Sequence, residues 1–131
     1  MAERTAAILL LVSEPVVREV LTEALERAGY VVRPTSDVGA AVELLHSSPV
    51  DLLIIRTYVE GMPGYQAAKY LVGKLPSMAT LMVTGLPDDD RIQIPADLEQ
   101  FAIFPPLFSL VDLVKQVDAL LERHKNRTPK R

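Results

Sequence analysis

Continuous apolar runs alternate along the chain with amphipathic segments. Ala7–Val12 (AILLLV) is apolar at every position, which suits a strand buried on both faces of a sheet. Ser13, Glu14 and Pro15 follow as a helix-start signal, with Pro15 fitted to the first helical position. Val16, Val17, Val20, Leu21, Leu25 and Ala28 then fall near helical spacing. Arg18, Glu19, Glu23, Glu26 and Arg27 are expected on the opposite, wet face. Gly29 stops this helix, and Tyr30–Arg33 reads as a short strand ending at Pro34.

The same unit recurs. Ser36 and Asp37 can cap a helix over Val38–His46, with Ala41, Val42, Leu44 and Leu45 available for burial. Val50–Ile55 is a second strong strand, and 57–64 reads as a loop. Tyr65–Leu75 is expected to be a helix, and Thr80–Thr84 another buried strand. The pattern weakens over 85–100, where Pro87, Pro95 and three consecutive aspartates predict a loop with a short or distorted helix. Phe101–Phe104 is a last short strand, and Ser109–His124 the clearest amphipathic helix, with Leu110, Leu113, Val114, Val117, Leu120 and Leu121 on one face. Strand and helix alternate five times. This predicts a single-domain, three-layer α/β/α sandwich around a five-stranded parallel sheet with right-handed crossovers. Candidate chemistry then belongs just beyond the carboxyl ends of the strands, at Ser13, Glu14, Arg56, Thr84, Gly85, Phe104 and Pro105.

Composition narrows the chemistry. The 131 residues contain no cysteine and two histidines, which excludes thiol chemistry, disulfides and histidine-rich metal clusters. His46 and His124 fall late in predicted helices, where a cation complements the negative dipole end. No apolar run is long enough to span a bilayer, and a cytoplasmic protein is expected. Five of the 14 basic residues are Arg123, Lys125, Arg127, Lys130 and Arg131, and all 17 acidic residues precede them. An acidic body does not suit nucleic acid. The basic end reads as a solvated tail or the start of a linker, so 1–124 is expected to be the domain and 125–131 the tail. The first strand-to-helix turn is not glycine-rich, which argues against a nucleotide site, and no Gly-x-Ser-x-Gly elbow is present.

In order and spacing, four segments are similar to the receiver domain of bacterial response regulators: Leu9–Glu14, Val50–Tyr65, Leu81–Gly85 and Ala102–Pro106. The Thr-Ser-Asp-Val-Gly stretch at 35–39 also resembles the family's second strand-to-helix join. The resemblance implies a CheY-like, flavodoxin-like sheet in the order 2-1-3-4-5. It also implies phosphoryl transfer to an aspartate beside Mg²⁺, with a lysine neutralising the phosphoryl oxygens. This chain departs from that pattern. The resemblance places Arg56 at the acceptor position, Ser13 and Glu14 at the paired acids, and Phe104 at the lysine. Thr84 and Phe101 match the switch residues, and Pro105 the proline preceded by a cis bond.

The expectation is therefore a pseudo-receiver: no enzyme, no cofactor, no metal, and a protein partner such as a histidine kinase, an output domain or a second copy. Arg56 and Glu14 follow adjacent strands and are expected to form a partly buried pair that replaces the metal. The alternative is a receiver phosphorylated at a non-standard residue and controlling an attached or partner output domain. A flavodoxin-like small-molecule binder is a third reading, without any phosphate-cradling loop to support it.

Overall fold

A computed structural model describes residues 6–56, 58–59, 62–74, 78–83, 102–104 and 110–127. In chain order the elements are β1 (Ala7–Leu11), α1 (Pro15–Arg27), β2 (Val31–Thr35), α2 (Val38–Ser47), β3 (Leu52–Arg56), β4 (Tyr58–Val59), β5 (Met62–Pro63), α3 (Gly64–Lys74), β6 (Ala79–Val83), β7 (Ala102–Phe104) and α4 (Leu110–Arg127).

The sheet is parallel throughout. β1 lies between β2 and β3, with Leu10 level with Pro34 on one side and Ile54 on the other. β6 follows β3, placing Leu81 beside Ile54, and the backbone of Ala102–Phe104 runs parallel to β6. Every residue of β1 is buried, as are Leu52–Ile55 and Thr80–Val83. These are the segments whose apolar runs predicted interior strands, because an interior parallel strand is covered on both faces.

Alternation along each strand separates two cores. Ile8, Leu10, Val12, Leu52 and Ile54 face one side, where Leu21 and Leu25 of α1 and Leu113 and Val117 of α4 cover them. Leu9, Leu11, Leu53 and Ile55 face the other, under Ala41 of α2 and Ala67, Ala68 and Leu71 of α3.

Several boundaries differ from expectation for identifiable reasons. β2 does not stop at Pro34 but runs through it to Thr35. Val31 donates its N–H to Ala6 O and Thr35 O accepts from Val12 N–H, so residues 31, 33 and 35 bond inward and Pro34 presents its missing donor to the open edge. The stretch 57–64, expected as a loop, contains β4 and β5, an antiparallel ribbon outside the main sheet. Only two residues, Glu60 and Gly61, separate them in the sequence. α3 begins at Gly64, one residue before the expected start. α4 runs three residues past His124, to Arg127.

The helix faces also differ from expectation. Val16 is 72% exposed and Val20 44%, so α1 buries a narrower stripe than its valines suggested. Ala28 is exposed and caps the helix, while Gly29 takes φ 102°, the left-handed conformation that glycine adopts without strain. Leu110, expected on the buried face of α4, is instead exposed. Asp37 caps α2 by accepting from Ala40 N–H at 2.8 Å. The expected distorted helix within 85–100 lies outside the described residues. No helix among the described residues is long and apolar enough to cross a membrane.

Candidate functional site

The chain leaves β1 and β3 side by side at the carboxyl edge of the sheet, so the residues that follow them converge. Val12 still belongs to the core. Ser13 is half-buried, and its hydroxyl donates to Ser36 O at 3.5 Å, tying the β1–α1 loop to the β2–α2 loop. Glu14 occupies the N-cap position of α1 with extended backbone (φ −76°, ψ 121°). Its side chain makes no capping bond and is free to turn away from the helix.

It turns toward Arg56, the last residue of β3. Arg56 Nη1 lies 3.6 Å from Glu14 Oε1. That separation is an ion pair and is too long for a hydrogen bond. The expected partly buried fork is therefore looser than its sequence reading: the Glu14 side chain is 54% exposed and that of Arg56 18%. Glu14 lies three residues beyond the end of β1, at the exposed start of α1, whereas Arg56 is still part of β3. Arg56 Nε is buried and has no hydrogen-bond partner among the described residues. The guanidinium is thus well enclosed and poorly satisfied.

Arg18 was expected on the wet face of α1. Instead its Nη1 donates to Val12 O at 2.7 Å and to Ser13 O at 3.2 Å, while its backbone N–H donates to Glu14 O at 2.9 Å. A cation in the first turn of a helix opposes the positive end of the dipole. That misplacement was the sequence signal available, since it implies a compensating partner.

Asp51, at the opposite end of β3, accepts from Ala7 N–H at 2.8 Å and closes the far edge of the sheet. Thr57, Thr84, Phe101 and Pro105 lie outside the described residues, as does the cis bond expected between Phe104 and Pro105. Phe104 is placed by its backbone alone, level with Val83. A groove of about 440 Å³ runs along the outside of α1 past Pro15, Val20 and Pro34, and includes neither Arg56 nor Glu14 among its walls.

A hard divalent cation needs several oxygen ligands. Among the described residues no three acidic or histidine side chains cluster tightly enough to supply them. At the carboxyl edge, Glu14 already faces a guanidinium. This donor set does not fit Mg²⁺.

Residues 8–118 match the family model of the response regulator receiver domain. The chain belongs to that family and is a receiver domain of two-component signalling, a class of signalling module that interacts with proteins such as kinases and output domains. It is 29% identical over 120 residues to the response regulator receiver protein CpdR of Brucella abortus (strain 2308), an alignment covering 87% of this chain and 95% of that protein. The signal receiver domain of an HD domain-containing protein from Pseudomonas fluorescens Pf-5 shares the fold, with a TM-score of 0.83, 24% identity and coverage of 95% and 100% of the two chains. That of a signal transduction histidine kinase from Syntrophus aciditrophicus gives a TM-score of 0.79 at 27% identity, covering 97% of each chain.

Proposed function

We propose that the chain is a pseudo-receiver: a receiver domain that has lost its phospho-acceptor aspartate and acts as a phosphorylation-independent protein-interaction module in the cytoplasm. The observation that carries this reading is Arg56, which ends β3 with its guanidinium toward Glu14. A guanidinium is fully protonated at any physiological pH and cannot attack a phosphoryl group. Ser13 and Glu14 stand for the family's paired acids and Phe104 for its lysine, so the nucleophile, most of the cation cage and the charge-neutralising amine are all replaced. In this reading Thr84 and Phe101 keep the side chains of a switch that no phosphoryl group drives. The sheet is the five-stranded receiver sheet in the order 2-1-3-4-5, with Ala102–Phe104 as its last strand. Residues 1–124 form the receiver unit, and 125–131 are a basic stretch whose first three residues continue α4.

The reading of an interaction module draws on the surface. Val16 and Val20 of α1 and Leu110 and Val111 of α4 are exposed on two helices that pack against each other. Apolar side chains left in water on adjoining helices suit contact with a protein partner: a histidine kinase, an output domain or a second copy.

Incubation with a small-molecule phosphodonor and Mg²⁺, followed by intact-mass measurement, tests the central claim. No mass gain is expected. Addition of one phosphoryl group would refute the pseudo-receiver reading and favour acceptance at a non-standard residue.

A further inference from the structure

Two consecutive carbonyls of the β1–α1 loop are held by one side chain. Val12 O and Ser13 O accept from the Arg18 guanidinium at 2.7 and 3.2 Å, and Glu14 O, the next, accepts the first helical bond of α1 from the backbone N–H of residue 18 at 2.9 Å. The loop is wrapped around Arg18, and Glu14 leaves it toward Arg56.

We infer that Arg18 is a positioning residue for the Glu14–Arg56 site: it fixes the loop so that the Glu14 carboxylate faces Arg56, and it keeps the loop ordered without a divalent cation. The inference rests on the pseudo-receiver reading for its meaning, though not for its geometry.

The physical argument has three parts. Carbonyls beyond the end of a strand have run out of ladder partners and must be satisfied elsewhere. A guanidinium meets that need with charge-assisted bonds, and the two N–H bonds on Nη1 let one nitrogen serve two oxygens. Second, the Glu14 side chain receives no guidance from its own helix, since it makes no capping bond. Its direction is set by the backbone of residues 12–14, whose Val12 and Ser13 carbonyls the Arg18 side chain holds. Third, a cation here has an electrostatic cost against the α1 dipole, and the loop carbonyls offset it. Arg18 thus brings positive charge to the loop's backbone and Arg56 brings it to the loop's carboxylate. Both cations are covalently part of the chain.

The test uses the full chain with Arg18→Ala and Arg18→Lys. Hydrogen exchange measured by mass spectrometry should show amides of the segment 12–18 exchanging at least about tenfold faster in Arg18→Ala, with β3 and β6 unchanged. Arg18→Lys should fall between, because an ammonium has donors for both carbonyls but its shorter side chain holds them short of the position of Nη1. Millimolar Mg²⁺ should leave the wild-type exchange of this segment unchanged. The second readout is the coupling between Glu14 and Arg56, measured by double-mutant cycles in each Arg18 background. It should vanish in Arg18→Ala and persist in part in Arg18→Lys, whereas a merely structural arginine would leave it intact. Unchanged coupling, uniform acceleration over the whole chain, or Mg²⁺-induced protection of the loop each overturns the inference. Phosphoryl uptake in the mass experiment would defeat the pseudo-receiver reading and leave the exchange result of Arg18→Ala standing, so the two failures are distinguishable.

Discussion

Arg56 Nη1 and Glu14 Oε1 stand 3.6 Å apart across the boundary between β3 and the start of α1, one partner enclosed and the other half in water. This asymmetry fixes what the pair can contribute. The carboxylate keeps much of its hydration, so the attraction is screened, and the pair behaves more like a surface bridge than a buried one. A double-mutant cycle of Glu14→Ala and Arg56→Ala in denaturant melts should give a coupling of about 0.5–1 kcal/mol at low salt, shrinking as salt is added. A coupling of several kcal/mol would mean that the carboxylate is enclosed, contrary to its exposure.

Arg56→Asp alone should not restore phosphoryl acceptance. It would place a carboxylate beside Glu14, leave no guanidinium between them, and leave Phe104 where the family has a lysine. Mass measurement after phosphodonor treatment should show the unmodified variant. Its melting midpoint should fall, because two carboxylates would then share one edge of the sheet.

Thr80 offers a test of polar satisfaction inside the core. It is 3% exposed, and its hydroxyl has no hydrogen-bond partner among the described residues. Removing an unsatisfied buried hydroxyl while keeping the branched shape should stabilise the fold. Thr80→Val is expected to gain about 1 kcal/mol in a denaturant melt. Destabilisation would show that the hydroxyl has a partner after all.

Tyr30 ties the turn after α1 to the middle of α4 by donating its hydroxyl to the Asp118 carboxylate. Burial, then the hydrogen bond and negative charge of Asp118, hold the phenol well above its ordinary value near 10. Its folded-state pKa is raised, so above about pH 10 the folded protein retains a proton that the unfolded chain releases. Stability from this contact is complete below that pH and declines as the pH rises beyond it. Melts of wild type and Tyr30→Phe should differ at neutral pH and converge in strong alkali. A gap that stays constant across that range would exclude the linkage.

The Asp37 cap is a local prediction. Asp37→Ala removes the acceptor for Ala40 N–H and should destabilise by about 1 kcal/mol, whereas Asp37→Asn should lose much less, since its amide oxygen can still accept.

The interior strands were legible in the sequence because burial on both faces leaves unbroken runs such as AILLL and LLII. The meeting of Arg56 and Glu14 was legible too, since β1 and β3 are neighbours and both residues follow strand ends. What hydrophobic periodicity could not convey was the direction of individual polar side chains. Arg18 occupies a position that helical spacing assigns to solvent, yet its length lets it fold back across the first turn to the loop. Val16 and Val20 fit the apolar spacing but stand outside the stripe that α1 presents to the sheet. Pro34 looked like a terminator because a proline breaks an interior strand, and nothing local reveals that β2 is at an edge. The β4–β5 ribbon has two residues per strand, too few to carry any period.

Pro34 also has a consequence for how the protein behaves in a crowded solution. The outward rim of β2 is the place where a stray extended segment could add itself to the sheet, and there the backbone alternates inward and outward residues. Of the outward-facing positions, Val32 keeps its donor and Pro34 has none, so an incoming strand meets a gap one step from any bond it makes. Its ring also stands in the path of a closely approaching backbone. A sheet this rich in aliphatic residues is otherwise a template for fibrillar growth, and one residue at its rim denies that growth a continuous ladder.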